Sequence, residues 1–249
     1  MIDDVVIFVE SPGLGDHLIF STLPEMFARR GHRVFVSTRC TFRNDEVKRL
    51  LYDENPFVSG WSDAEPNAGT KHGREVSSHD FYFEGKRIRG TIPHIERAHG
   101  LPPTNLYPKV YYQPKWRPEF AGKVLADTRS SSQFFSAETF ERFIDHIEVP
   151  HADLYRIESP HSGPHGVQSL SNQAVIRVAD LHEYCDAIYS CKAFCSTEAG
   201  GHILASAIVG YNAEPELFAV TTSLNHKCAV FLFPNVTYCV VGNPIREWR

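Results

Sequence analysis

An unbroken apolar run over residues 5–9, Val-Val-Ile-Phe-Val, is the first clear pattern in the chain. Buried parallel strands read this way because both faces of their sheet are covered. The glycine-bearing stretch Ser11-Pro12-Gly13-Leu14-Gly15 follows, and then a helical segment reaching Arg30. Leu18, Ile19, Leu23, Met26 and Phe27 form its apolar face, and Gly31 ends it. Pro24 lies inside that segment, which predicts a kink or a delayed start to its regular part. Residues 32–38 read as the next strand. Strand, glycine turn, helix and strand make one βαβ unit, the mark of a doubly wound α/β domain.

Residues 55–80 are weakly patterned and rich in Gly, Ser, Asn and charge, which predicts loop with one short strand near 57–61. Residues 81–83 suggest a strand, 92–99 a helix closed by Gly100, and 109–112 the last strand of a first half. The pattern restarts at Lys123 with a strand over 124–126. Ser136 is a plausible N-cap for a helix in which Phe140, Phe143, Ile144 and Ile147 share one face. A strand over 175–178 leads to Asp180, which with Glu183 resembles a capping box, and Leu181, Tyr184, Cys185 and Ile188 form that helix's stripe. A strand over 193–195, a turn at Gly200-Gly201, a helix over 202–209 and strands over 217–220 and 236–241 complete the second set. The reading is α/β: two Rossmann-like lobes, residues 1–120 and 121–249, facing a central cleft.

Composition narrows the function classes. The 249 residues are 42% hydrophobic and 22% charged, which is ordinary globular composition. A net charge of −5, from 25 basic and 30 acidic residues, supplies no basic stripe for nucleic acid. No apolar run approaches the roughly 18–20 residues of a transmembrane helix, and no signal-peptide pattern precedes the first strand, so a cytoplasmic protein is expected. Cys40, Cys185, Cys191, Cys195, Cys228 and Cys239 include no C-x-x-C pair, and several sit in apolar runs, where a thiol behaves as a small hydrophobe. The 13 histidines form no zinc-binding helix motif, so no metal site is expected.

Three turns carry candidate chemistry. Gly13-Leu14-Gly15-Asp16 follows a buried strand and opens a helix; it is neither a dinucleotide fingerprint nor a P-loop. An acid at the carboxyl end of a strand stands where α/β sheets place their chemistry, so Asp16 is either a helix cap or a general base, with Gly13, Gly15 and His17 forming its loop. Ser196-Thr197-Glu198-Ala199-Gly200-Gly201-His202 again joins strand to helix; free amides and two glycines suit an anion, Glu198 suits sugar hydroxyls, and His202 suits a phosphate oxygen. Thr128, Arg129 and Ser130 follow the first strand of the second half, and hydroxyls with one guanidinium suit a diphosphate. Packing glycines and solvated turns are the plain alternatives for these last two.

Together these positions resemble the bacterial ADP-heptose heptosyltransferases and related GT-B glycosyltransferases. The likeness rests on Gly13-Leu14-Gly15-Asp16 with Leu23-Pro24, on Asn55-Pro56-Phe57-Val58, and on the segment 181–208. The resemblance implies a GT-B-like fold, a base at Asp16 that deprotonates the acceptor hydroxyl, and a donor site in the second lobe. Thr128, Arg129, Ser130, Thr197, Glu198, Gly200, Gly201 and His202 would line that donor site. It implies a metal-independent, inverting transfer with a nucleotide-diphosphate sugar as donor substrate and no other cofactor; the chain contains no Asp-x-Asp. The acceptor would be a glycan, a lipid-linked or another hydroxyl compound. Relatives usually carry an acid, a small hydroxyl residue and glycine where this chain has Thr197, Glu198 and Ala199, and a lysine where Phe134-Phe135 follow Gln133. The rival readings are a non-catalytic nucleotide-sugar or saccharide-binding protein and a sugar-phosphate epimerase or phosphate-ester hydrolase.

Overall fold

The computed structural model describes residues 3–70, 81–83, 86–88, 91–130, 137–148, 153–159, 165–166, 174–197, 199–210, 214–221, 233–240 and 247–248. The chain divides into two compact units, Met1–Tyr112 with Ala229–Phe233 and Gln113–Cys228 with Pro234–Arg249. Each is an α/β unit built on a parallel sheet, in agreement with the fold class expected from the sequence pattern.

The first unit runs β1 (Asp4–Phe8), α1 (Leu14–Leu18), α2 (Leu23–Ala28), β2 (Arg33–Ser37), α3 (Asp45–Lys48), β3 (Gly60–Ser62), β4 (Ala68–Gly69), β5 (Phe81–Phe83), β6 (Lys86–Ile88) and α4 (Thr91–Ala98). Its sheet has the order β3-β2-β1-β4, all parallel, while β5 and β6 pair with each other. Val5, Val6 and Ile7 are all buried, so both faces of β1 are covered, as the continuous apolar run required. The chain lays β2 and β3 on one side of β1 and then returns to add β4 on the other. The carboxyl end of β1 is therefore the switch point of this sheet.

Pro24 divides the predicted first helix in two. It sits at the second position of α2, where its missing N–H costs nothing, and α1 ends six residues before it, at Leu18. The predicted strand over 109–112 does not form. Proline at 108 and 114 limits ladder pairing there, and side-chain anchors hold the segment instead. Lys109 N–H donates to Ser21 Oγ (2.8 Å), Lys109 Nζ and Tyr111 Oη both reach Glu25, and Val110 is buried. A turn the pattern did not suggest follows α3: Arg49–Asp53 is π-helical, and Asn55 ends it by accepting from Phe57 N–H at 3.0 Å.

The second unit runs β7 (Val124–Asp127), β8 (Arg129–Ser130), α5 (Ala137–His146), β9 (Leu154–Glu158), β10 (His165–Gly166), β11 (Val175–Arg177), α6 (Leu181–Ser190), β12 (Ala193–Thr197), α7 (Gly200–Val209), β13 (Glu216–Thr221), β14 (Thr237–Val240) and β15 (Glu247–Trp248). Its main sheet is ordered β11-β9-β7-β12-β13-β14-β15 and is parallel except for the last pair. Numbered along the chain, the six parallel strands stand 3-2-1-4-5-6, the doubly wound order, with the switch between β7 and β12. Phe140, Phe143 and Ile144 of α5 lie in the core with Ile147 packed against it; the proposed cap Ser136 lies outside the described residues. Asp180 caps α6 by accepting from Glu183 N–H at 2.8 Å, and Glu183 reaches back to Ala179 N–H at 2.7 Å. The described cysteines are free and buried, and burial pushes the Cys191 thiol up to about 12. Cys228 lies outside the described residues.

Candidate active site

The turn leaving β1 is short and tightly held. Gly13 is the extended N-cap of α1 and makes no side-chain cap, so Asp16, in the first turn, is half-buried but not a capping residue. Its Oδ2 accepts from Ser11 Oγ at 2.6 Å. From outside the turn, Arg43 N–H donates to Pro12 O at 3.0 Å. A carboxylate thus stands at the carboxyl end of the strand where the sheet reverses its winding. A hydroxyl approaching it would meet an acceptor oxygen oriented by a single serine.

His17 sits differently from its expected place on a ligand-facing loop. Its side chain is fully buried, stacked on Phe42 at 4.6 Å and edge-on to Tyr52 at 5.6 Å. Nε2 lies 3.0 Å from the Thr41 carbonyl, which can only accept, so Nε2 carries the proton. Nδ1 lies 2.9 Å from Tyr52 Oη, which donates to it. Burial pushes the imidazole below its ordinary pKa, and the Thr41 carbonyl and the Asp16 charge only partly restore it. Tyr52 is itself fully desolvated, and its phenol is pushed well above the usual range. The sequence singled out His17 but not Tyr52, which belongs to the unforeseen π-helical turn; only the cap Asn44 ahead of Asp45 and Glu46 marks that helix in the sequence.

The second and third motifs meet in the second unit. β7 and β12 are adjacent, with Ser196 in register with Asp127, so the turns after both strands emerge side by side at the switch. Register partners in a pleated sheet share a face, which puts Ser196 and Asp127 on one side. Thr128 and Thr197 are both buried, and the Ser196 and Thr197 hydroxyls have no hydrogen-bond partner among the described residues. Arg129 and Ser130 pair as backbone with His165 and Gly166; their side chains, and Glu198 entirely, lie outside the described residues.

Two features of this turn depart from the expectation. His202 is buried, and its Nδ1 turns back on its own N-cap, 2.9 Å from Ala199 N and 2.6 Å from Ala199 O, because Ala199 has no side chain with which to cap α7. Its ring serves the helix start rather than an open phosphate site. Second, Gly200 and Gly201 open α7 beside a carboxylate of the chain itself. Asp127 Oδ2 accepts from Tyr184 Oη at 2.5 Å and packs against Gly201, where an added Cβ would stand 3.0 Å from both atoms. Burial and the Asp127 charge push the Tyr184 phenol well above its usual range. Sequence reading placed Tyr184 in the α6 core stripe and left Asp127 without a role. Asp127 ends β7 and Tyr184 lies in α6, 57 residues apart in the chain, and only the tertiary fold brings them together at the turn. Among the described residues no group of three or more His, Cys, Asp or Glu is arranged to hold a metal ion, and no helix is long and apolar enough to cross a membrane.

No protein-family model matches the sequence. No curated protein matches it either. Solved structures do, and they define the class of fold: α/β, of the kind found in GT-B glycosyltransferases and heptosyltransferases. The bacterial iron-containing dodecameric glycosyltransferase TibC from enterotoxigenic E. coli superposes with a TM-score of 0.59 at 15% identity, over 94% of this chain and 61% of TibC. A glycosyl transferase of family 9 from Veillonella parvula gives 0.57 at 10% identity, over 94% and 85% of the two chains. The E. coli ADP-heptose LPS heptosyltransferase II gives 0.52 at 9% identity, over 95% and 91%. The chain spans about three fifths of TibC's length, 61%. At these identities the likeness is one of fold.

Proposed function

We propose that this protein is a glycosyltransferase that moves a sugar from a nucleotide-diphosphate donor to an acceptor hydroxyl. Asp16 acts as general base: its free oxygen takes the hydroxyl proton, the hydroxyl oxygen attacks the anomeric carbon, and the nucleoside diphosphate leaves with inversion there. The observation that carries the reading is the Asp16 carboxylate at the carboxyl end of β1, the switch point of a sheet in a GT-B-like fold. ADP-D-β-D-heptose is bound by TibC in a related structure of that fold, which supports a sugar nucleotide as the donor class. The donor would engage the paired turns after β7 and β12, through Thr128, Arg129, Ser130, Thr197, Glu198, Gly200 and Gly201. No metal ion is assigned a part. One observation favours a second reading, a saccharide-binding protein without turnover: the Asp127 carboxylate beside Gly201 opposes a diphosphate at the start of α7.

The test is nucleotide release from UDP-, ADP-, GDP- and CDP-sugars with a panel of hydroxyl acceptors, comparing wild type with Asp16→Asn. Transfer by wild type, lost in Asp16→Asn with donor affinity unchanged, is the expected result. Saccharide binding without nucleotide binding would favour the second reading. Release of phosphate from a phosphomonoester without sugar transfer would point to hydrolysis instead.

A further inference from the structure

Among the described residues Asp16 has only Ser11 as a side-chain hydrogen-bond partner, yet the helix turn that carries it is pinned by its neighbour. The His17 ring joins α1 to two distant segments: Thr41, beyond β2, through Nε2, and Tyr52, in the π-helical turn, through Nδ1. Phe42 stacks on the ring, and both Phe42 and Tyr52 stand edge-on to Trp61 of β3, at 5.9 and 6.1 Å. The Arg43 N–H to Pro12 O bond closes the same junction through the backbone. A π turn widens the helix locally, and here it carries the tyrosine that faces the ring.

We propose that His17 is a positioning residue for Asp16: the neutral imidazole, donating to Thr41 O and accepting from Tyr52 Oη, holds the first turn of α1 so that the Asp16 carboxylate meets the acceptor hydroxyl. The inference rests on the reading of Asp16 as base. Neutrality matters for two reasons. Nδ1 accepts the Tyr52 hydroxyl only while it keeps a lone pair, so protonation reverses that bond and leaves the buried Tyr52 O–H to find another acceptor. An imidazolium beside Asp16 would also stabilise the carboxylate and weaken it as a base. The titratable groups that act on the ring are Asp16 on its own helix and Tyr52 on the π turn, and the Tyr52 phenol is in turn held up by burial and by the buried Cys40 thiol from the loop after β2. Burial outweighs the pull of Asp16 and holds the ring's pKa below its ordinary value.

Tyr52→Phe is the gentlest test, because it keeps the aromatic packing and removes only the hydroxyl. His17 would be followed by its ring ¹⁵N resonances and Asp16 by its ¹³Cγ resonance, alongside kcat and donor KM as functions of pH. Losing a donor to Nδ1 makes the ring easier to protonate. The His17 midpoint should therefore rise, the Asp16 signal should shift with it, and the acid limb of kcat should move to higher pH. At its optimum the variant should turn over about tenfold more slowly, with donor KM unchanged. His17→Asn, whose amide oxygen can stand near the place of Nδ1 and accept from Tyr52, should recover more rate than His17→Ala. A raised His17 midpoint with no movement of the Asp16 signal or of the acid limb would make His17 a core histidine and overturn the proposal. Coupled NMR shifts in a wild-type protein that transfers no sugar would instead overturn the assignment of Asp16 as base.

Discussion

The Asp16 carboxylate folds back over Gly13 so closely that a Cβ at that glycine would lie 2.5 Å from Oδ2. Gly13 has φ −72° and ψ 142°, a conformation any residue adopts, so its lack of a side chain serves the carboxylate and not the backbone. Gly13→Ala should leave stability within about 1 kcal/mol of wild type, since only the end of a flexible side chain has to move. It should lower turnover about 100-fold, the scale of an ångström-sized misplacement of a reacting group. Denaturant melts alongside kcat separate the two effects. Full activity in Gly13→Ala would remove Asp16, in this pose, from the chemistry.

Gly69 behaves in the opposite way. Its φ is +95°, and a Cβ there would come within 2.0 Å of the Phe8 carbonyl oxygen, in the strand that β4 joins. Neither atom is at the end of a flexible group. Gly69→Ala should destabilise the first unit by about 3 kcal/mol or more, the scale of a forbidden backbone conformation combined with a backbone clash. A urea midpoint equal to that of wild type would contradict the pairing of Phe8 with Gly69.

Gly13 stands where the sequence was legible, and Gly69 where it was not. Residues 5–9 announced β1 because a strand covered on both faces has no polar positions, and Asp16 stood out because it follows such a strand directly. The α5 stripe was readable by its helical spacing, Phe140, Phe143 and Ile144 being wholly buried on one face. β9 was not, because Leu154 and Ile157 are its only fully buried aliphatics, and Arg156 sits in it paired with Glu158 at 2.7 Å. The strand expected over 109–112 failed because its apolar residues pack through side chains instead of a ladder. Tyr52 and Asp127 were invisible as site residues for one shared reason. Each acts on a group far away in sequence, His17 and Tyr184 respectively, and periodicity reports only near neighbours.

Tyr184 and Asp127 form a buried contact whose removal should be measurable apart from any ligand. Tyr184→Phe keeps the ring, which stands edge-on to Phe194 at 5.9 Å, and deletes the hydroxyl that donates to Oδ2. A buried carboxylate that loses a donor costs about 1–3 kcal/mol. The loss should shrink in the Asp127→Asn background, where no charge needs the bond, and a double-mutant cycle reads that coupling. Additive losses would show that the two residues do not interact energetically.

Acid should loosen the first unit through Glu25. Burial alone would raise this carboxyl, but hydrogen bonds from Lys109 Nζ (2.6 Å), Tyr111 Oη (2.9 Å) and Arg29 Nε (2.7 Å) outweigh it and hold the group below its ordinary value. The folded state therefore binds this proton less readily than the unfolded chain does. The contribution is complete above the unfolded pKa, near 4.5, and fades as pH falls from there through the lowered folded value. Lys109→Met removes the strongest favourable partner of Glu25 while keeping the aliphatic stem. It should cost about 1 kcal/mol near neutral pH, because Lys109 is a third exposed and Glu25 keeps Arg29 and Tyr111. It should also flatten the dependence of stability on pH below about 4.5, since the carboxyl would then titrate closer to its unfolded value. Urea unfolding of wild type and Lys109→Met between pH 3 and 7 measures both quantities. Parallel curves for the two proteins would mean that Lys109 does not set the Glu25 titration, and that Ser21 and the buried Val110 hold the 109–112 segment without it.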